Sequence, residues 1–248
     1  MIPSPLHAGR AHHVLSDLER NVFLALLTFR PVDVREQYPL MLESGIDVLL
    51  LPPGLPELSF GPGTLAIAKE QRIRHPPHKG STAHMTTDFV VTLGDGSIVA
   101  VHCKWAADLA KIRNIQLRKL EEEYWRQRDV RLVVVTEVSM PRRLVNNLKW
   151  ALSAMSSDAN YRANNDIPSN WIRDVFDLNA SKRFPMRGIL ERLALTYEVT
   201  VEQQVVWLKK AVMFGLIPVD HSTTDLHLAS PWKMLNGPAA AIHLLGGA

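Results

Sequence analysis

The chain has 248 residues, 46% of them hydrophobic and 21% charged, with a formal net charge of +3 at pH 7 when histidines are neutral. This composition is typical of a globular protein with one large or two smaller domains, and it excludes a disordered chain. The small positive charge permits a nucleic acid surface without requiring one, and the single cysteine, Cys103, excludes a disulfide framework and a thiolate metal cluster. No stretch of about 18 apolar residues occurs, so we expect a cytoplasmic protein without a membrane segment.

The first predicted element is a helix that follows a loose N-terminal arm. Ser16 and Glu19 have the S-x-x-E spacing of a capping box, which predicts a helix beginning near Asp17 and ending before Pro31. Glu19 can therefore be explained as a capping residue, and a second role for its carboxylate stays open. Residues 32–40 alternate weakly and are predicted to form an edge strand.

Residues 41–80 are broken by prolines and glycines, and they predict a long loop with short elements, one of them a helix over residues 64–71. The segment ends in a basic patch. This patch can be interpreted as a phosphate-binding surface or as a solvated loop, and it comprises Arg72, Arg74, His75, His78 and Lys79.

A β-hairpin is predicted over residues 86–104. The sequence Gly-Asp-Gly at positions 94–96 separates two apolar, β-branched runs, which is a strong hairpin signal. Asp88 stands on the first strand and Lys104 ends the second, so the hairpin brings an acid and a base to the same end of the sheet. Charges in such a place cost free energy unless they bind something.

The elements after the hairpin complete an α/β pattern. Residues 109–128 predict a helix whose charged face is expected to be solvated, and residues 130–137 predict a buried strand covered on both faces. Another helix is predicted from Pro141. Together, residues 1–155 are predicted to form a catalytic domain with a mixed sheet flanked by helices.

A polar segment over residues 156–168 is the predicted linker to a second domain. Residues 185–198 predict one helix, and a capping box at Thr200 and Gln203 predicts another that stops at Gly215. The segments IPVD and LHLAS are then expected to pair as a short wing. Residues 169–248 thus have the outline of a winged-helix-like domain.

Four residues carry the chemical hypothesis. A metal-dependent phosphodiester hydrolase needs hard oxygen ligands and a positive charge near the phosphate. The carboxylates of Glu19 and Asp88 and the backbone carbonyl of Cys103 are such ligands, and Lys104 carries the charge. An acid followed by x-x-K on the partner strand is the outline of PD-(D/E)xK nucleases, although a surface hairpin can match it by chance.

Longer segments make the match specific. The sequence resembles the TnsA family, the endonuclease subunit of the heteromeric transposase of Tn-seven-type transposons, including CRISPR-associated relatives. The matching segments run in order from residue 9 to about residue 150, and they are GRAHHVLSDLERNVFLAL, DVREQYPL, RIRHP, TTDFVV, HCK, EEEYWRQR and VVVTE.

The resemblance implies a restriction-endonuclease-like fold with Glu19, Asp88 and Lys104 as catalytic residues. It implies a Mg²⁺ site, in which Mn²⁺ could substitute in vitro, and the ligands expected from the residues are Glu19, Asp88 and Cys103. It also implies cleavage of the 5′, non-transferred strand at transposon ends. The implied partners are DNA, a TnsB-type transposase and a TnsC-type AAA+ regulator that the C-terminal domain contacts.

One position departs from the family pattern. His102 stands where such nucleases often carry an acid or a glutamine. We interpret it as an accessory residue, either a weak ligand or hydrogen-bond partner of water, or a histidine satisfied by a neighbour. The candidates for DNA contact are His12, His13, Arg35, Arg72, Arg74 and Lys79.

Two other functions stay open from the sequence. The chain could be a non-catalytic adaptor that joins a transposase to its regulator, although a decayed site would be expected to lose a carboxylate first. It could also be a free-standing restriction or repair nuclease, which would cut DNA without partners.

Overall fold

The computed structural model describes residues 2–3, 6, 10–46, 60–78, 81–82, 84–154, 167–221 and 223–235. Its contacts divide the chain into two compact units. The sheet unit comprises His13–Glu19 and Val32–Val138, and the helical unit comprises Met1–His12, Arg20–Pro31 and Ser139–Ala248. The predicted linker lies almost wholly outside the described residues, so the predicted boundary between two domains stays a prediction.

The elements follow one another as an α/β pattern and then as helices alone. In chain order they are β1 Ile2–Pro3, β2 Ala11–His12, α1 Asp17–Leu27, β3 Asp33–Pro39, β4 Gly45–Ile46, β5 Phe60–Gly61, α2 Thr64–Glu70, β6 Pro77–His78, β7 Ser81–Thr82, β8 Thr86–Thr92, β9 Ile98–Cys103, α3 Ala106–Leu109, α4 Ile112–Arg126, β10 Arg131–Val135, a 3-10 turn Glu137–Ser139, α5 Arg142–Leu152, α6 Ser169–Ala180, α7 Met186–Tyr197 and α8 Val201–Met213.

A four-stranded mixed sheet in the order β10-β9-β8-β3 forms the centre of the sheet unit. Strand β8 runs antiparallel to both β3 and β9, and β10 runs parallel to β9. The predicted hairpin and edge strand are therefore confirmed. Gly96 in the hairpin turn has φ +85, a conformation that favours glycine, and Asp95 accepts hydrogen bonds from the N–H and hydroxyl of Ser97.

The strand predicted over residues 130–137 forms, but the prediction that both of its faces are covered is wrong. Strand β10 stands at one edge of the sheet, and of its five residues only Val135 is buried. A continuous apolar run matches a central buried strand and an edge strand equally well, so the sequence pattern alone did not separate the two.

Aromatic side chains from α4 fill the core between this sheet and helix α2. Tyr124 and Trp125 are fully buried with their rings edge to face at 5.3 Å, and the guanidinium of Arg128 lies 3.6 Å from the centre of the Tyr124 ring. Edge-to-face packing and cation–π contacts both favour this arrangement. The buried cluster comprises Tyr38, Leu40, Ile67, Ala68, Met85, Val90, Ala100, Leu120, Tyr124 and Trp125.

The helical unit has a tryptophan-rich core. The rings of Trp171 and Trp207 meet edge to face at 5.6 Å, and the indole N–H of Trp171 donates to Gln204 Oε1 at 2.8 Å. The predicted cap of α8 is confirmed, because Thr200 Oγ1 accepts the N–H of Gln203 at 3.1 Å. None of the described helices combines the length and apolarity needed to cross a bilayer.

The expected pairing of IPVD with LHLAS is wrong. Val219 of IPVD forms an antiparallel bridge with Met234 instead, and Leu235 N–H donates to the carbonyl of Pro218 at 2.9 Å. LHLAS contributes to the start of α7, since the Arg187 N–H donates to the Leu228 carbonyl at 2.8 Å. This pairing is a single bridge rather than a hairpin wing, so the winged-helix comparison remains a prediction.

We predict that His221 makes the stability of this chain depend on acid pH. Burial lowers the pKa of His221 to about 4, although the charge of Asp220 raises it, and neither ring nitrogen has a hydrogen-bond partner among the described residues. The unfolded chain binds this proton near pH 6.5, so stability is fully present above that pH and is lost as the pH falls toward 4. The loss amounts to about 3 kcal/mol.

Urea unfolding between pH 7.5 and 4 measures this dependence. His221→Leu should flatten it, whereas the exposed control His227→Leu should leave it unchanged. Equal pH dependence in the wild type and His221→Leu would show that His221 is not its source.

Candidate active site

Asp88 lies on β8 at the point where β9 ends. Its Oδ2 accepts the backbone N–H of Cys103 at 2.6 Å, and its side chain is 19% exposed. Burial raises the pKa of Asp88 to about 6; the Cys103 N–H and the charge of His102 lower it, while the charges of Glu121 and Glu19 raise it. Asp88 is therefore a largely buried carboxylate with two other acids close enough to affect it.

Glu19 is the capping residue that its sequence spacing predicts, and it also belongs to this acidic group. Its N–H donates to Ser16 Oγ at 3.1 Å, and Ser16 Oγ donates back to Glu19 Oε1 at 3.0 Å. Glu19 Oε2 accepts the N–H of Leu15 at 2.9 Å and the side-chain amide of Gln37 at 3.2 Å. Glu19 is 8% exposed as a residue, and its charge raises the pKa of Asp88.

A third carboxylate belongs to Glu121 on α4, which is not among the site residues predicted from the sequence. The prediction of a solvated face on this helix is wrong at this position, because Glu121 is only 2% exposed. Thr87 Oγ1 donates to Glu121 Oε1 at 2.6 Å, and the indole N–H of Trp125 donates to Thr87 Oγ1 at 2.8 Å. Glu121 lies four positions before Trp125 on the same helix, and residues at this spacing share one helix face. The spacing to a core aromatic residue is therefore the sequence signal that could have indicated the burial of Glu121.

His102 links two of the acids. Its Nδ1 lies 2.8 Å from Glu121 Oε2 and 4.0 Å from Asp88 Oδ2. Burial lowers the pKa of His102, but the contact with Glu121 and the charges of Glu121 and Asp88 outweigh it, so the pKa is raised above its ordinary value. Nδ1 makes no hydrogen bond of good geometry among the described residues, so the 2.8 Å contact with Glu121 is a charge contact. Of the two interpretations offered by the sequence, this contact favours a histidine paired with a neighbour.

Lys104 follows the last residue of β9 directly. Its backbone N–H donates to the Val135 carbonyl at 3.0 Å, which holds it at the end of the parallel β9–β10 pair. Its charge lowers the pKa of His102, the smallest of the effects on that ring. Burial and the charges of the three carboxylates raise the pKa of the Cys103 thiol, so this thiol stays protonated and offers only its carbonyl oxygen as a hard ligand.

The donor set matches a hard divalent cation in its chemistry. Carboxylates and a backbone carbonyl are the ligands that Mg²⁺ prefers, and three acids held out of water favour a cation electrostatically. In the described part of the chain, no three acidic, histidine or cysteine side chains already stand close enough together to hold a metal ion. The proposed donor set is smaller, with two carboxylates and one backbone carbonyl, and the oxygens of Glu19 and Asp88 accept hydrogen bonds from N–H and O–H groups.

The six candidates for DNA contact have different outcomes. His12 is fully buried, with its ring centre 4.4 Å from that of Phe23, so the prediction that it contacts DNA is wrong in this structure. Arg35 lies 3.4 Å from Asp33 and donates to Thr92 Oγ1 at 3.3 Å, which ties it to the sheet. His13, Arg72 and Arg74 are exposed, and Lys79 lies outside the described residues.

Comparisons with known proteins confirm the resemblance found in the sequence. A family model described as the TnsA-like endonuclease N terminal matches residues 32–137. The chain is also 32% identical over 153 residues to the "Transposon Tn7 transposition protein TnsA" of Escherichia coli, over 60% of this chain and 49% of that protein. The chain thus spans about half the length of this relative.

We predict that Asp88→Asn stabilises the protein at neutral pH when no divalent ion is present. The folded-state pKa of about 6 exceeds the ordinary value of 3.8, so the buried charge costs stability above pH 6 and the cost disappears as the pH falls toward 4. The gain for Asp88→Asn at pH 8 is expected to be up to about 3 kcal/mol.

Urea unfolding at pH 8 and pH 4, in the presence of a chelator, measures this gain. The exposed variant Asp129→Asn should change the free energy of unfolding by less than about 0.5 kcal/mol. A loss of stability in Asp88→Asn at pH 8 would contradict the picture of a costly buried carboxylate.

A second prediction concerns the support of Glu121. Thr87→Val removes the hydroxyl between Trp125 and Glu121 and leaves two buried polar groups without it, at a cost of about 2–4 kcal/mol. Thr87→Ser keeps the hydroxyl and loses one methyl group, at a cost of about 1 kcal/mol. Urea unfolding of both variants measures the difference, and equal losses would show that the hydroxyl does not matter.

Proposed function

We propose, from the premise that residues 32–137 form a TnsA-like endonuclease domain, that the chain is a metal-dependent DNA endonuclease acting at transposon ends. The observation that supports this most directly is the position of Asp88 and Lys104 at the same end of the β8–β9 pair, where Asp88 Oδ2 accepts the Cys103 N–H and the charges of Glu19 and Glu121 raise the pKa of Asp88. The catalytic role of Glu19, Asp88 and Lys104 that the sequence predicts is part of this proposal.

Glu19, Asp88 and the carbonyl of Cys103 would hold the divalent ion, which supplies positive charge to the phosphate and lowers the pKa of the attacking water. Asp88 Oδ2 accepts the Cys103 N–H, so Oδ1 would be the oxygen available to the ion. Lys104 places an ammonium group beside the scissile phosphate and stabilises the negative charge that develops there.

Glu121 and His102 form the inner wall of the site. Thr87 donates to one oxygen of Glu121, and the other oxygen lies 2.8 Å from His102 Nδ1, so the buried wall is polar and contains a close charge contact. The same Nδ1 atom lies 4.0 Å from Asp88 Oδ2, beyond hydrogen-bond distance, so His102 acts on Asp88 through its charge, which lowers the pKa of Asp88.

The finer function follows the relative. The relative is named as a Tn7 transposition protein, and we propose that this chain also acts in transposition. Its proposed step is cleavage of the 5′, non-transferred strand at transposon ends in the bacterial cytoplasm. It would act beside a TnsB-type transposase that processes the 3′ ends. The C-terminal helices α6 to α8 would contact a TnsC-type AAA+ regulator.

We predict that Asp88→Asn and Lys104→Ala each slow 5′-strand cleavage by about 100-fold or more, while 3′ processing by the partner transposase continues. The assay uses a supercoiled plasmid with both transposon ends, Mg²⁺ and the partner transposase, and it maps nicks on each strand. Lys111→Ala is the matched control, since this exposed lysine lies 2.5 Å from Asp108 and should leave cleavage unchanged.

The three functional hypotheses give different results in this assay. Clean 5′ cuts in the presence of Asp88→Asn would show that the chain is not the nuclease, which is the result that the adaptor hypothesis predicts. Cutting of plasmids without transposon ends or partner by the wild-type chain would instead indicate a free-standing nuclease.

A further inference from the structure

We propose that Gln37 is a positioning residue that holds Glu19 against the edge strand of the sheet, at the point facing Asp88. This role rests on the proposed function, because it concerns a carboxylate of the same site. Three observations support it, and they concern the backbone of Gln37, the orientation of its amide and the source of the other bonds to Glu19.

The backbone of Gln37 has a conformation that strands rarely adopt. Its φ is +48 in the middle of β3, between the paired residues Glu36↔Phe89 and Tyr38↔Thr87. The continuing register places Gln37 opposite Asp88. A left-handed conformation is uncommon outside glycine and asparagine, and it persists only where the surrounding structure maintains it.

The side chain of Gln37 has a defined orientation. Its Oε1 accepts the hydroxyl of Thr86 at 3.4 Å, and its Nε2 donates to Glu19 Oε2 at 3.2 Å. An amide presents its oxygen and its N–H₂ group on opposite sides, so the Thr86 hydroxyl selects the orientation in which the donor faces Glu19.

The other hydrogen bonds to the Glu19 carboxylate come from its own helix end. Leu15 N–H and Ser16 Oγ precede α1 directly, so they hold the carboxylate to its own segment. That segment belongs to the sheet unit, and the His13 N–H donates to Glu36 Oε1 of β3 at 3.4 Å. Among the described residues, the bond from Gln37 is the one that connects the Glu19 carboxylate itself to a strand, and it thereby orients this carboxylate relative to β8.

The chemistry of glutamine suits this task. A lysine or arginine at position 37 would neutralise Glu19 and compete with a cation for it. A neutral amide holds the carboxylate and leaves its negative charge available. Loss of a residue that hydrogen-bonds a metal ligand typically lowers metal affinity by about 10- to 100-fold.

The variant Gln37→Gly separates the backbone from the side chain. Glycine adopts φ +48 without strain, so the melting temperature in chelator should be unchanged or raised. The loss of the amide should weaken Mn²⁺ binding, measured by isothermal titration calorimetry without DNA, by about tenfold. The Mg²⁺ concentration for half-maximal cleavage should rise by a similar factor, with a smaller effect on the maximal rate.

Asp129→Gly is the matched control, because Asp129 is exposed, lies in the same unit and has φ +54. It should raise the melting temperature similarly and leave Mn²⁺ affinity unchanged. Unchanged Mn²⁺ affinity in Gln37→Gly, with normal binding by the wild type, would overturn the role of Gln37 alone. Absence of Mn²⁺ binding by the wild type would overturn the metal site and this role together.

Discussion

The carboxylates of Glu19, Asp88 and Glu121 are held largely out of water at one end of the β8–β9 pair, and the surrounding structure compensates for this cost. Buried carboxylates are unfavourable unless hydrogen bonds or opposite charges surround them. The N–H of Cys103, the cap of α1, the Thr87 hydroxyl and the ring of His102 supply part of that compensation. The raised pKa of Asp88 shows that part of the cost remains, and a bound cation would remove it.

Two strands and one helix end contribute residues to the site, and they hold these residues in different ways. Asp88, Cys103 and Lys104 are positioned by strand pairing, because the β8–β9 register and the Lys104–Val135 bond determine where each residue lies. Glu19 comes from a helix end, where its capping bonds and the amide of Gln37 hold it. The same carboxylate therefore stabilises the start of α1 and is available for chemistry, and the two interpretations of Glu19 are compatible.

Turn and capping residues in the sequence predicted the helices and strands well, whereas contacts between distant elements could not be predicted from such local signals. The hairpin, the cap of α1 and the cap of α8 depend on turn and capping residues close together in sequence, so they could be predicted. The edge position of β10, the burial of Glu121 and the burial of His12 depend on which distant elements pack there. An apolar run or a charged helix looks the same in sequence whether or not another element covers it. The bridge between Val219 of IPVD and Met234 could not be predicted for the same reason.

The central claim is that Glu19 and Asp88 share one divalent ion with the carbonyl of Cys103. The most direct test is the anomalous diffraction of Mn²⁺ in crystals of the wild-type chain. We expect one strong peak with oxygen ligands from all three residues at about 2.0–2.6 Å, the range of oxygen–metal distances for hard divalent cations. A peak ligated by Asp88 and Glu121 without Glu19, or no peak at this end of the sheet, would contradict the account.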